Sequence, residues 1–129
     1  MKFKENNSIY QQIADRLSEE ILRGRYGEEE RLPSVREYAA LLEVNINTAL
    51  RAYDMLQQQE VIYNRRGIGY FVSKGAQRSI LTARRNSFLR EDLQEFFYQI
   101  HTLGIPMDDI EESYREYVIK QQNNKTDKQ

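Results

Sequence analysis

Cysteine is absent from this 129-residue chain. That excludes disulfides, thiolate zinc sites and a cysteine nucleophile, and it suits a reducing compartment. Long hydrophobic runs are missing too. No stretch nears the ~18 apolar residues that cross a bilayer, and the opening MKFKENNS has no apolar signal-peptide core. The expectation is a cytoplasmic protein without membrane association. Histidine occurs once, at His101, so a metal site would need acids for its remaining ligands. The acids available, Asp108, Asp109, Glu111 and Glu112, read instead as a solvated helix face. There is no P-loop, dinucleotide glycine pattern or nucleophile motif. Neither catalysis nor a cofactor is expected. An excess of either charge is also lacking: 19 Lys and Arg face 20 Asp and Glu, for a net charge of −1. The signs balance within residues 1–75 and within 76–129. Bulk charge therefore argues against a nucleic-acid partner unless the basic residues gather on one face.

The patterns that are present describe a mainly α fold with a small β-hairpin. Residues 1–7 are polar and read as loose. From Ser8 to Arg23, Ile9, Ile13, Leu17 and Ile21 recur every four residues, with Tyr10, Ala14 and Leu22 widening the apolar stripe. Ser8 is read as an N-cap without a capping-box partner, and Gly24 as the stop. Residues 25–32 read as a loop. Ser34 followed by Glu37 is a capping box that opens a short second helix. Asn45 caps a third, whose Ala49, Ala52, Tyr53 and Leu56 form one face. Asn47, Arg51, Asp54 and Gln58 lie opposite, with Thr48 beside them. Val61-Ile62-Tyr63 and Tyr70-Phe71-Val72 are strand-like, and the NRRGIG between them makes a basic hairpin tip with Arg65, Arg66 and Gly67.

Two short helices around the Glu43-Val44-Asn45 linker, then a basic hairpin, have the order of a winged helix-turn-helix. Asn, Thr and Arg on the third helix suit phosphates and base edges. The segments IYQQIADRLSEEILRGRY (9–26), LPSVREYA (32–39), VNINTALRAYDML (44–56) and RRGIGYFV (65–72) closely resemble the GntR family of bacterial transcription regulators, and V-N-x-N-T-x-x-R-A-Y resembles its YtrA-type subgroup. The resemblance implies a sequence-specific regulator, most simply a repressor, that binds double-stranded DNA. It implies DNA contact by Arg36 at the second helix, by Asn47, Thr48 and Arg51 along the third, and by Arg66 and Gly67 at the wing; Ser34, at a phosphate, and Arg65, beside the wing tip, are further candidates. Many relatives carry arginines where Ile46 and Leu50 stand, so this chain departs from them there; Ile46 would instead meet a thymine methyl. Control of neighbouring transporter genes is a further implication.

Each residue also has a plainer reading. Ser34 is foremost a cap, Thr48 serves the helix start, Arg36 pairs with an acidic neighbour, and Arg51 lies on a solvated face beside Asp54. A winged helix used only for protein contact is the alternative function. Beyond it, a long helix over 77–103 and another over 107–121 carry an aromatic stripe. The expected domains are a DNA-binding unit at 8–75, a two-helix dimerisation segment at 76–121 with Phe88, Phe96 and Phe97 at the interface, and a disordered tail at 122–129. Two helices do not readily close an effector pocket, so an inducer, if one acts, would bind between helices or subunits and alter head spacing. A homodimer would present two reading heads to a palindrome.

Overall fold

The computed structural model describes residues 7–127. The loose N-terminus expected at 1–7 therefore lies, apart from Asn7, outside the described residues, as do Lys128 and Gln129. The elements are α1 (Ile9–Leu22), α2 (Val35–Leu42), α3 (Ile46–Gln58), β1 (Ile62–Arg65), β2 (Gly69–Val72), α4 (Ala76–Ser87), a π-helical turn (Phe88–Asp92), α5 (Leu93–Leu103) and α6 (Met107–Asp127). They fall into two units, divided between Arg85 and Asn86.

In the first unit, local chemistry sets the helix ends. Ser8 caps α1 within a full capping box: its hydroxyl accepts from the Gln11 amide at 3.3 Å, and the Gln11 side chain accepts from the Ser8 amide at 3.0 Å. The expectation of a cap without a box partner is thus corrected, because Gln11 stands at N3. Ser34 and Glu37 make the same reciprocal pair at α2, at 3.0 and 3.3 Å. Glu43 ends α2 in the left-handed region, φ 56°, ψ 46°, a turn that glycine more often makes. Two residues later the Asn45 side chain accepts from the Asn47 amide at 2.8 Å and starts α3.

The core is one cluster. Ile13, Ala14, Leu17 and Ile21 of α1 meet Ala52, Tyr53 and Leu56 of α3, with Leu32, Tyr38, Val61, Ile62 and Val72 closing around them. Ala49 is buried too, so the whole expected inner face of α3 is inward. Ile9 is the exception on α1. It sits at the first helical position, beyond the core, and is exposed. Tyr53 is the keystone. It is fully buried, its hydroxyl donates to the Pro33 carbonyl at 2.7 Å, and its ring meets Tyr70 edge-on at 4.9 Å. It thereby ties α3 to the start of α2 and to the hairpin. Burial pushes its phenol well above the usual tyrosine range, so it stays a donor.

The hairpin pairs Ile62 with Val72, Tyr63 with Phe71, Asn64 with Tyr70 and Arg65 with Gly69. Ile62 and Val72 face the core, and by the two-residue alternation Tyr63, Phe71 and Arg65 take the other side. Residues 25–32, read as a simple loop, do more. Arg31 bridges Phe71, the Glu29 amide donates to the Val72 carbonyl at 2.8 Å, Val72 donates to Glu30 at 3.0 Å, and Leu32 donates to Tyr70 at 2.9 Å. The loop therefore lies along β2 through an isolated bridge and these backbone hydrogen bonds.

Ala76 and Ile80 of α4 are buried in the same core, and Arg84 reaches Glu19 of α1 at 3.0 Å. The first ten residues of α4 thus belong to the first unit, which moves its boundary from the expected 75 to 85. In the second unit α6 continues to Asp127, where a disordered tail was expected from 122. No glycine or proline follows Pro106, and Gln and Lys are good helix formers, so nothing local stops the helix. Most apolar side chains of this unit remain exposed, among them Phe88, Phe96, Phe97, Met107 and Tyr114. Phe88, Leu93, Phe96, Met107, Ile110 and Tyr114 line an open groove of about 460 Å³ with Glu111 at its side.

Candidate nucleic-acid interface

Each candidate residue of the first unit lies on a defined element. Ser34 is occupied by its capping role. Arg36, in the first turn of α2, is exposed. On α3, Asn47 and Arg51 are exposed one turn apart, and Thr48 is half-buried beside them. Alternating spacings of four and three residues put Asn47, Arg51, Asp54 and Gln58 on one side, opposite Ala49, Ala52, Tyr53 and Leu56. Arg65 ends β1. Arg66 and Gly67 form the wing tip, closed by a hydrogen bond from the Ile68 amide to the Arg65 carbonyl at 2.9 Å. Gly67 has φ +80°, the left-handed value that this turn demands at its third residue. No neighbouring atom comes near a Cβ built there, so glycine is needed for conformation, not for space.

The arginines of this unit divide by what holds them. Arg16 and Arg25 pair with Glu20 at 3.5 and 3.6 Å, and Arg23 and Arg84 pair with Glu19 at 3.3 and 3.0 Å. The Arg84 guanidinium holds the Glu19 carboxyl below its ordinary range. Each of the two carboxylates is shared by two arginines around α1. Arg36, Arg51, Arg65 and Arg66, in contrast, have no carboxylate partner among the described residues, and neither do Arg31, Arg78 and Arg85. The plain reading of Arg36 as an acidic residue's partner therefore does not describe the structure, whereas Arg51 does lie on an exposed face with Asp54. A net charge near zero is compatible with a basic reading face, because the four arginines of α2, α3 and the wing pair with none of the acids among the described residues.

Two of these four rest on rings instead. The Arg51 guanidinium lies 4.3 Å from the centroid of Tyr10, and that of Arg65 lies 5.3 Å from Phe71. Phe71 is stacked on Tyr63, whose hydroxyl donates to Glu29 at 2.6 Å. In the sequence Tyr10 reads only as extra width on an apolar stripe, which gives no hint of this contact. Exposed apolar residues share the same elements: Ile46 and Leu50 on α3, 42% and 38% exposed, and Ile68 at the wing tip, 52% exposed. These exposures matter because a helix facing only water has little reason to show isoleucine and leucine between its polar residues.

No helix among the described residues is long and apolar enough to cross a membrane. A sequence profile for bacterial regulatory proteins of the gntR family matches residues 9–72. A solved GntR-family transcriptional regulator from Bacteroides thetaiotaomicron is 53% identical, covers 88% of this chain and 99% of its own, and superposes with a TM-score of 0.78. The HTH-type transcriptional regulator YhcF of Bacillus subtilis is 31% identical across 90% of this chain and 94% of its own length. The HTH-type transcriptional repressor YtrA of the same organism is 28% identical across 88% and 86%. With its winged helix and this full-length similarity, the chain belongs to the GntR family of DNA-binding transcription regulators, beside its YtrA-type members.

Proposed function

We propose that the protein is a cytoplasmic repressor that binds a palindromic operator as a homodimer. In this reading α3 enters the major groove, and Asn47, Thr48 and Arg51 meet base edges and phosphates there. Arg36 and Ser34 take phosphates at the start of α2. Arg65, Arg66 and Gly67 brace the wing against the neighbouring minor groove or backbone. Ile46 offers an apolar contact to a thymine methyl. The observation that carries the reading is where four unpaired arginines stand: Arg36 on α2, Arg51 on α3 and Arg65 and Arg66 on the wing have no carboxylate partner among the described residues, whereas Arg16, Arg23, Arg25 and Arg84 around α1 do. Repression is supported by the name of YtrA, a transcriptional repressor. Selection of bound duplexes from fragmented genomic DNA tests it. Inverted repeats with half-sites about 34 Å apart, or a multiple of that, are expected; unsymmetrical single sites would contradict the dimeric reading, and no enrichment at all would contradict operator binding.

The dimer is assigned to the second unit. Phe88, Phe96 and Phe97 are 49%, 38% and 40% exposed in the single chain, an apolar load that soluble surfaces seldom carry in one patch. Replacing Phe96 and Phe97 together with serine should yield monomers in sedimentation velocity, with the first unit still folded. Operator affinity should fall with the loss of the second head. A dimer that persists would place the contact elsewhere. An effector, if one acts, would work through the geometry of this same interface.

A further inference from the structure

We infer that Tyr10 is a positioning residue for the reading face: its ring holds the Arg51 side chain in place while leaving the charge and donors of that arginine free for DNA. The inference rests on the reading that α3 faces the duplex. A long arginine side chain on a helix surface samples many rotamers, and fixing it at the moment of binding costs affinity. A protein can fix it beforehand in two ways. A carboxylate does so by neutralising the charge and taking up N–H donors, as Glu19 does for Arg23 and Arg84. An aromatic face does so through its quadrupole, which attracts the cation without accepting its hydrogen bonds. Arg51 has the second kind of support, 4.3 Å from the Tyr10 centroid, well inside the ~6 Å range of such contacts.

The ring is itself well anchored. Tyr10 is half-buried at the second position of α1. The Ser8–Gln11 capping box closes around it, and the Gln12 side chain donates to the Asn7 carbonyl at 3.1 Å. Below it, α1 and α3 share the core through Ala14, Leu17, Ala52 and Tyr53. The Tyr10 ring, packed against that core, cannot drift far without disturbing it, and α3 fixes the backbone that carries Arg51. Arg65 over Phe71 repeats the device on the wing, where Phe71 is steadied by Tyr63 and Glu29.

The test is a double-mutant cycle with Tyr10→Leu, Tyr10→Phe, Arg51→Ala and the Leu/Ala pair, titrated at fixed salt against a duplex recovered from the genomic selection. Tyr10→Leu should weaken binding about two- to fivefold per head, Tyr10→Phe should match the parent, and Tyr10→Leu should change nothing further in the Arg51→Ala background. In the free protein, the ring-current shift of the Arg51 side-chain protons should vanish with Tyr10→Leu and persist with Tyr10→Phe. An equal loss from Tyr10→Leu with and without Arg51 would overturn the inference, since the ring would then act alone. So would a normal affinity for Tyr10→Leu beside a weakened Arg51→Ala, which would leave the reading face itself standing. An unchanged Arg51→Ala would overturn the reading face and this inference with it.

Discussion

Arg51→Ala should weaken operator binding by about 30-fold or more without altering the fold. The side chain is exposed on α3, opposite the buried Ala49, Ala52 and Tyr53, and has no carboxylate partner among the described residues. Truncating it removes no core packing. A well-placed arginine contact to a base edge contributes about 1–3 kcal/mol. Both heads of a dimer lack it in the variant, so the lower bound is about 2 kcal/mol. If Arg51 meets a phosphate instead, the salt dependence of binding should flatten by about 0.9 in slope for each phosphate left without its arginine. Arg23→Ala is the matched control. It makes the same change in net charge, but Arg23 is tied to Glu19 at 3.3 Å. Fluorescence anisotropy at several salt concentrations separates the two. Equal losses would mean that bulk charge, not a reading face, drives binding.

Tyr53→Ala should cost about 3–5 kcal/mol of stability, the range for truncating a fully buried aromatic. Domains of this size often have only about 5–15 kcal/mol in total. The loss should be large because one side chain serves three elements: its ring meets Tyr38 at 6.1 Å and Tyr70 at 4.9 Å, and its hydroxyl bonds Pro33. Tyr53→Phe keeps the ring and removes only the 2.7 Å hydrogen bond, at a cost of about 1 kcal/mol. Urea melts followed by circular dichroism give both values. A loss under about 1 kcal/mol for the alanine variant would show that the ring does not organise the unit.

What the sequence discloses follows from how local the causes are. The Ser34–Glu37 box, the Asn45 cap and the inner face of α3 are readable because each depends on residues within a few positions. The Ser8–Gln11 box is equally local, and it emerges once N3 is counted to Gln11. The docking of the 29–32 loop on β2 is beyond reach for a physical reason. Glu29, Arg31 and Leu32 look like an acidic loop, and their hydrogen bonds go to residues far along the chain, Tyr70 to Val72. Tyr10 is hidden likewise, since an aromatic at the edge of an apolar stripe gives no sign of the arginine that will lie over it. The helix expected over 77–103 is interrupted by the π-helical turn at Phe88–Asp92, which separates α4 from α5.

The bridged loop of residues 29–32 has one more consequence. Many hairpins that reach toward a ligand are flaps, ordered only when they arrive. Here β2 is hydrogen-bonded along both edges, to β1 on one side and to Glu29–Leu32 on the other. That second seam ends two residues before the Ser34 cap of α2. Wing and α2 are thus preorganised as one stiff piece. The backbone ordering cost, about 1–2 kcal/mol for each residue fixed, is met when the protein folds and not when it reaches the duplex.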